Sequence, residues 1–320
     1  MGYKIGIDVG NSDTKSQQTT TASSFKKYAT QNILDEESIF YNGSYYTPTN
    51  DRNNQQLDKT ENDYCVIMSL FGIAKEIIFQ LKESNKDITP LEIQNEISKI
   101  TEVELGIGLP AGHFSALAKK TKALYMEKMG DGIQFSYRHL NNTYEFNFKL
   151  VKCNAYAQDY TAVAFNKSLE IPTKYGKYYI IGAGGGTVDI IPVENGRPCS
   201  DKCESLAMGS TVMYSEIIKT IQHETGKTME YETVEAVLRD KPTIIDEARK
   251  ARIKELATEY GNQLIDECIH KGLKLNDYPC VFIGGFALLL KDVFANNTNI
   301  VKAEFVEDIR ANAVYYAAFL

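Results

Sequence analysis

The stretch Gly182-Ala183-Gly184-Gly185-Gly186-Thr187-Val188-Asp189 decides the reading of this chain. It follows the apolar run Tyr178-Tyr179-Ile180-Ile181 and leads into Ile190, Ile191 and Val193. A glycine-rich turn thus joins two strand-like segments. A stretch of the same build stands near the start: Asp8-Val9-Gly10-Asn11-Ser12-Asp13-Thr14-Lys15, directly after Tyr3 to Ile7. Glycine lets the backbone approach a ligand closely. Successive N–H groups in such a turn make a concavity that favours anions. A lone turn of this kind is more often an ordinary hairpin. Two of them, far apart and each following a strand, predict two β-hairpins gripping one polyphosphate from both sides.

The side chains of the first turn extend this reading. Asp8, at the end of its strand, is placed to hold Mg²⁺ through water. Lys15 supplies a point cation for phosphate. Ser12 and Thr14 add hydroxyl donors.

Composition narrows the class. A chain of 320 residues is long enough for a large core and two domains. The formal net charge of −7 argues against extensive direct binding to nucleic acid. No apolar stretch is expected to reach transmembrane length. The early first strand leaves no room for a signal peptide. Gly6 stands where N-myristoylation wants Ser or Thr. The expectation is therefore a cytoplasmic protein with no membrane partner. The six cysteines are scattered, with Cys199 and Cys203 the one close pair, and read as reduced structural thiols rather than a zinc site. His113, His139, His223 and His270 are isolated in sequence and read as structural or surface residues.

Along the chain, residues 37–64 read as strands and a mobile loop, with Thr47 to Asn62 the most solvated part. Helices are predicted over Tyr64 to Leu81, Ile88 to Ile100 and Phe114 to Met129, and a buried strand over Glu102 to Leu109. Gly130-Asp131-Gly132 opens a β-region from Ile133 to Val151. Cys153 to Lys167 is expected to turn into a helix, and Pro198 to Glu204 to be a polar connection. Met208 to Gln222, Val234 to Leu238 and Ile244 to Lys271 form a helical block. Pro279 to Ile283 is a strand, and Glu307 to Leu320 a closing helix. Strand-turn and helices, followed again by strand-turn and helices, predict an α/β fold of two similar halves.

Five segments in this order resemble the actin, heat-shock-chaperone and sugar-kinase superfamily of ATPases. Asp8 to Lys15 and Gly182 to Asp189 resemble its two phosphate loops. Tyr156 to Ala162 and Arg310 to Tyr316 resemble its two connecting helices, and Ile283-Gly284-Gly285-Phe286-Ala287 its adenosine motif. Within the superfamily the chain is most similar to the bacterial plasmid-segregation actins of the ParM group. It shares a compact length, the turn in Glu104-Leu105-Gly106-Ile107-Gly108-Leu109-Pro110, and the lack of a long C-terminal substrate domain.

The resemblance implies an actin-like, ribonuclease H-like duplicated fold with two domains around a nucleotide cleft. Domain I would span 1–165, with a small subdomain at about 30–64. Domain II would span 166–320, with a helical subdomain at about 208–272 and a C-terminal helix returning to domain I. The implied cofactors are ATP or GTP with Mg²⁺. The catalytic positions would be Gln158, which orients the attacking water, and Asp8. Gly10, Asn11, Ser12, Asp13, Thr14 and Lys15 would hold phosphate, as would Gly184, Gly185, Gly186 and Thr187. Gly284, Gly285 and Phe286 would lie beneath the adenosine, and Gly209, Ser210, Glu216 and Lys219 would meet base or ribose. The family's second loop usually opens with Asp; here that place is Gly182. Asp189, as a possible metal residue, or Asp159 would compensate, or hydrolysis would be slow. The implied partners are the chain itself, in a helical filament, and a ParR-like DNA-binding adaptor that reaches plasmid centromere DNA.

Other readings stay open at this point. A sugar or small-acid kinase of the same superfamily would use Asp159 as base. A chaperone-type ATPase would work as a monomer. A cell-shape or magnetosome-type filament would carry a membrane-inserting segment, and neither terminus has a basic amphipathic helix.

Overall fold

The computed structural model describes residues 2–32, 34–49 and 63–320. Most of the solvated stretch expected over 47–62 therefore lies outside the described residues. In chain order the elements begin with β1 (Tyr3–Val9), β2 (Asp13–Lys15), β3 (Thr20–Ala22), β4 (Phe25–Tyr28), β5 (Glu37–Tyr41) and β6 (Ser44–Pro48). Then come α1 (Tyr64–Ser84), α2 (Pro90–Ile97), β7 (Glu102–Leu109), α3 (Phe114–Met129), β8 (Ile133–His139), β9 (Asn142–Ala157) and α4 (Tyr160–Ala164). The remainder is α5 (Ile171–Lys174), β10 (Lys177–Ala183), β11 (Val188–Glu194), β12 (Arg197–Pro198), β13 (Glu204–Leu206), α6 (Ser210–Thr225), α7 (Tyr231–Leu238) and α8 (Glu247–His270). It closes with β14 (Cys280–Ile283), α9 (Gly285–Leu289), α10 (Lys291–Ala295), β15 (Ala303–Phe305) and α11 (Ala311–Ala318). Two compact units result: Met1–Ala162 with Arg310–Leu320, and Val163–Ile309.

The first unit carries a sheet in the order β3-β2-β1-β7-β9-β8-β5-β6-β4. Its centre is the antiparallel hairpin β1–β2 beside the parallel strands β7 and β9. The second unit repeats that centre. Its order is β12-β11-β10-β14-β15, with the antiparallel hairpin β10–β11 beside parallel β14 and β15. The duplicated plan expected from the two glycine turns is thus present as one strand arrangement repeated at the centre of both sheets.

Strand alternation explains how the first sheet is covered. Ile5 and Ile7 of β1, with Val103, Leu105 and Ile107 of β7, point into a core built with α1 and α3. The alternate positions Gly6, Gly106 and Gly108 bear no side chain, and α11 lies directly on them. A Cβ at Gly6 would sit 1.8 Å from the Ala313 carbonyl oxygen, and one at Gly106 would sit 2.7 Å from that of Tyr316. The Gly-Ile-Gly alternation in β7 is a helix seat as well as the approach to a turn.

In the second unit α6, α7 and α8 share one core with the sheet, where Met213, Val234 and Leu264 meet Ile181 and Ile190.

Several expectations need correction. α1 is long and apolar enough to cross a membrane, contrary to the expectation that no segment is. Most of its apolar window is buried, because the helix is packed nearly all round in the first core. The stretch 153–167 is mainly not helix: β9 continues to Ala157 because it pairs along its length with β7, and only Tyr160–Ala164 is helical. The closing helix begins at Ala311 rather than Glu307. The polar connection at 198–204 adds short strands to the edge of β11.

Candidate functional site

The carboxyl ends of β1, β7 and β9 bring Asp8, Leu109 and Gln158 to one edge of the first sheet, as the parallel registers and the Gln158 N–H bond to the Leu109 carbonyl (2.8 Å) require. Ligands bind at this edge in open α/β sheets. The turn after β1 is closed by the Gly10 N–H, which donates to the Asp13 carbonyl at 3.0 Å. A Cβ on Gly10 would lie 2.7 Å from that oxygen, so the turn needs glycine there. The N–H groups of Asn11 and Ser12 have no acceptor among the described residues. They remain available to an anion.

Asp8 shares the glycine face of β1, toward α11. Its side chain is 4% exposed. Asn312 Nδ2 donates to Asp8 Oδ2 at 3.2 Å, while Asp8 Oδ1 has no hydrogen-bond partner among the described residues. The same Asn312 Nδ2 donates to Asp159 Oδ1 at 2.8 Å, and Asn312 Oδ1 accepts the Asp159 N–H at 2.9 Å. Asp159 is itself buried and sits at φ 62°, left-handed backbone that Asp tolerates better than most residues. One turn along α11 from Asn312, the Tyr316 hydroxyl is buried with no hydrogen-bond partner among the described residues. Burial, together with the nearby Asp8 and Asp159, holds its phenol well above the usual range.

The other first-turn residues divide. Lys15 lies opposite Asp8 in the β1–β2 register and forms no ion pair among the described residues. Thr14 is buried, and its hydroxyl is bonded to Ser23 at 2.8 Å, so it joins β2 to the following segment rather than offering a donor to phosphate. Ser12 and Asp13 are half-buried and Asn11 is exposed. Behind the turn, buried Glu76 of α1 accepts from Ser16 Oγ (2.7 Å) and the Gln18 N–H (2.8 Å) and fastens the end of the hairpin.

The second hairpin repeats the turn. The Gly184 N–H donates to the Thr187 carbonyl at 3.0 Å, and the N–H groups of Gly185, Gly186 and Thr187 have no acceptor among the described residues. The turn's carbonyls are held by the start of α6, where Ser210 and Thr211 N–H donate to Gly184 and Gly185 at 3.1 and 2.9 Å. Gly209 permits that contact, since its Cβ would lie 2.4 Å from the Gly185 carbonyl oxygen. With the carbonyls engaged by the helix, the amides are left for a ligand.

Gly182 faces Asp189 across β10–β11, and the Asp189 carboxylate accepts from the Ser205 hydroxyl. Gly284, at φ 105°, presses on Ala183, and a Cβ there would be 2.4 Å from the Ala183 carbonyl oxygen. Gly285 has open space at its Cβ position. The Phe286 ring is buried against Tyr260, so it supports the loop from the core and only its backbone is available to a ligand. Glu216 and Lys219 are exposed on one face of α6, and Glu216 lies near the buried Tyr260 hydroxyl.

Sequence reasoning placed the strand ends and turns together but did not place Asn312 in the site. The residue sits in a segment that reads as an Ala- and Tyr-rich helix. A polar Asn among Ala311, Ala313 and Tyr316 was the available signal, because a buried amide needs partners.

With this geometry described, likeness to known proteins can be stated. Residues 180–296 match the family described as archaeal actin homologue MreB-like, C-terminal. No curated protein matches the chain. The archaeal actin homologue Ta0583, solved in complex with ADP, is 17% identical with a TM-score of 0.70, covering 98% of each chain. The actin-like protein Alp7A is 14% identical with a TM-score of 0.71, covering 98% of this chain and 93% of its own. A ParM from Clostridium botulinum, solved as a 15-stranded filament, is 13% identical with a TM-score of 0.67, covering 99% and 98%. The chain has the actin-like fold.

Proposed function

We propose that this chain of actin-like fold binds ATP or GTP with Mg²⁺ in the cytoplasm, hydrolyses it slowly, and assembles into a helical filament. Its growth would move plasmid DNA through a ParR-like DNA-binding adaptor. The observation that carries the reading is the repeated turn: in each unit a glycine hairpin at the carboxyl ends of parallel strands leaves consecutive N–H groups without acceptors among the described residues. Such groups suit phosphate oxygens. The similar Ta0583 was solved with ADP, and the similar ParM forms a filament.

Mg²⁺ fits the first hairpin. Asp8 Oδ1 is buried and unpartnered, a state that is costly for a carboxylate unless a cation or a water shell completes it. Asp8 would hold the ion, and Lys15 would add a cation beside the phosphates. Bound there, Mg²⁺ would supply charge neutralisation to the phosphate oxygens. Gln158 would orient the attacking water; an amide positions water but is a poor base, which suits slow turnover.

Hydrolysis then acts as a timer. Filament and free subunit bind the nucleotide states with different affinity, so turnover shifts the assembly equilibrium. Head-to-tail contacts that do not close give open helical filaments. The kinase alternative would use Asp159 as base, and a rise in nucleotide turnover with a panel of sugars would favour it.

The test is high-speed pelleting with negative-stain microscopy in ATP, GTP, ADP or no nucleotide, all with Mg²⁺. Nucleotide-dependent filaments are expected. Tight nucleotide binding without polymer at any concentration would overturn the filament reading in favour of a monomeric ATPase.

A further inference from the structure

We infer that Asp8 and Asp159, bridged by Asn312, together form the carboxylate platform of a hydrated divalent cation, with Asn312 as the positioning residue. The inference rests on the nucleotide reading above and concerns how this chain completes its cation site. Three observations carry it.

The first is the bridge. One amide nitrogen, Asn312 Nδ2, donates to both Asp8 Oδ2 (3.2 Å) and Asp159 Oδ1 (2.8 Å). Two buried carboxylates on one amide repel each other, and a nearby cation relieves that repulsion. The second is the pair of orphaned polar atoms. Asp8 Oδ1 and the Tyr316 hydroxyl are both buried and have no hydrogen-bond partner among the described residues. Mg²⁺ keeps several of its waters and uses one or two carboxylates, so a water shell would supply partners to both atoms. The third is the backbone of Asp159, held at φ 62° with its N–H bonded to Asn312 Oδ1 at 2.9 Å. A non-glycine residue in this region persists only when its surroundings impose it. Here they hold the Asp159 carboxylate against Asn312, beside Asp8.

The arrangement also bears on the second hairpin. Gly182 stands where the first hairpin has Asp8, so that strand end contributes no carboxylate. The first unit holds both of its carboxylates itself, Asp8 at the end of β1 and Asp159 after β9.

The experiment uses the full chain with ADP and Mn²⁺ as probes. Mn²⁺ affinity of the ADP complex is read by electron paramagnetic resonance, and ADP affinity is read separately with the metal chelated. Asp159→Asn keeps the hydrogen bonds to Asn312 and removes the charge. It should weaken Mn²⁺ binding by roughly 10–100-fold, the scale of changes around a metal site, with metal-free ADP affinity unchanged. Asp159→Gly adopts the positive φ freely and should fold at least as well, with the same loss of Mn²⁺ affinity. Native Mn²⁺ affinity in either variant would overturn the inference. An equal loss of metal-free ADP binding would also overturn it and make Asp159 a structural tie. Failure of the native chain to bind ADP in any condition would instead overturn the nucleotide reading itself.

Discussion

The two glycine hairpins close in the same way, Gly10 onto Asp13 and Gly184 onto Thr187, each at 3.0 Å. Two residues before that glycine they part. The first hairpin has Asp8 opposite Lys15; the second has Gly182 opposite Asp189. Their backing differs as well. β1 meets α11 through the bare Gly6, whereas the matching strand position in β10 is the fully buried Ile180. The comparison teaches that the duplicated element is a backbone turn presenting N–H groups, a property independent of side chains. Charge is placed asymmetrically on it, and the carboxylate chemistry gathers in the first unit.

The largest expected effect tests the backing. Gly6→Val drives side-chain atoms into α11, where even a Cβ would meet the Ala313 oxygen at 1.8 Å. It should cost about 3 kcal/mol or more in urea unfolding, near the upper end for overpacking. Ile180→Val on the other strand should cost only about 1 kcal/mol. Equal costs would break the contrast.

Charge placement comes next. Asp8→Asn should lower the hydrolysis rate on the order of 100-fold, as expected when a group that stabilises developing charge is removed. Gly182→Asp should raise the rate on the order of tenfold, measured as phosphate release. An unchanged rate in Gly182→Asp would sink the idea that the missing carboxylate limits turnover.

A finer test concerns the turns themselves. Gly10→Ala puts a Cβ 2.7 Å from the Asp13 carbonyl oxygen, while Gly184→Ala puts one 3.6 Å from that of Thr187. The first change should cost about 1–2 kcal/mol and the second no more than about 0.5 kcal/mol by thermal or urea unfolding. Equal costs would mean that the two turns are equally crowded at this glycine and would break the contrast.

Much of this architecture was legible in residue order. β7 and α3 match their expected limits, Glu102–Leu109 and Phe114–Met129, because alternation and helical spacing are unambiguous there. Pro90 and the Thr89–Glu92 capping box make α2 begin where a first-turn proline belongs. The 153–167 stretch misled because Ala, Val and Phe suit a helix, while pairing with β7 held it extended to Ala157. α1 was legible as a helix but not as a spanning-length apolar one, and only packing shows that nearly every face is covered.

By itself the sequence determined the two glycine turns, the strands before them and the repeat they mark, because glycine and apolar periodicity act over a few residues. The tertiary structure alone decided that Asn312 joins Asp8 to Asp159, that Gly6 and Gly108 seat a helix, and that Thr14 and Phe286 face inward. Those relations link residues as far apart as Asp8 and Asn312. Local propensity carries no record of a partner that distant; only packing α11 onto the sheet brings the amide to both carboxylates.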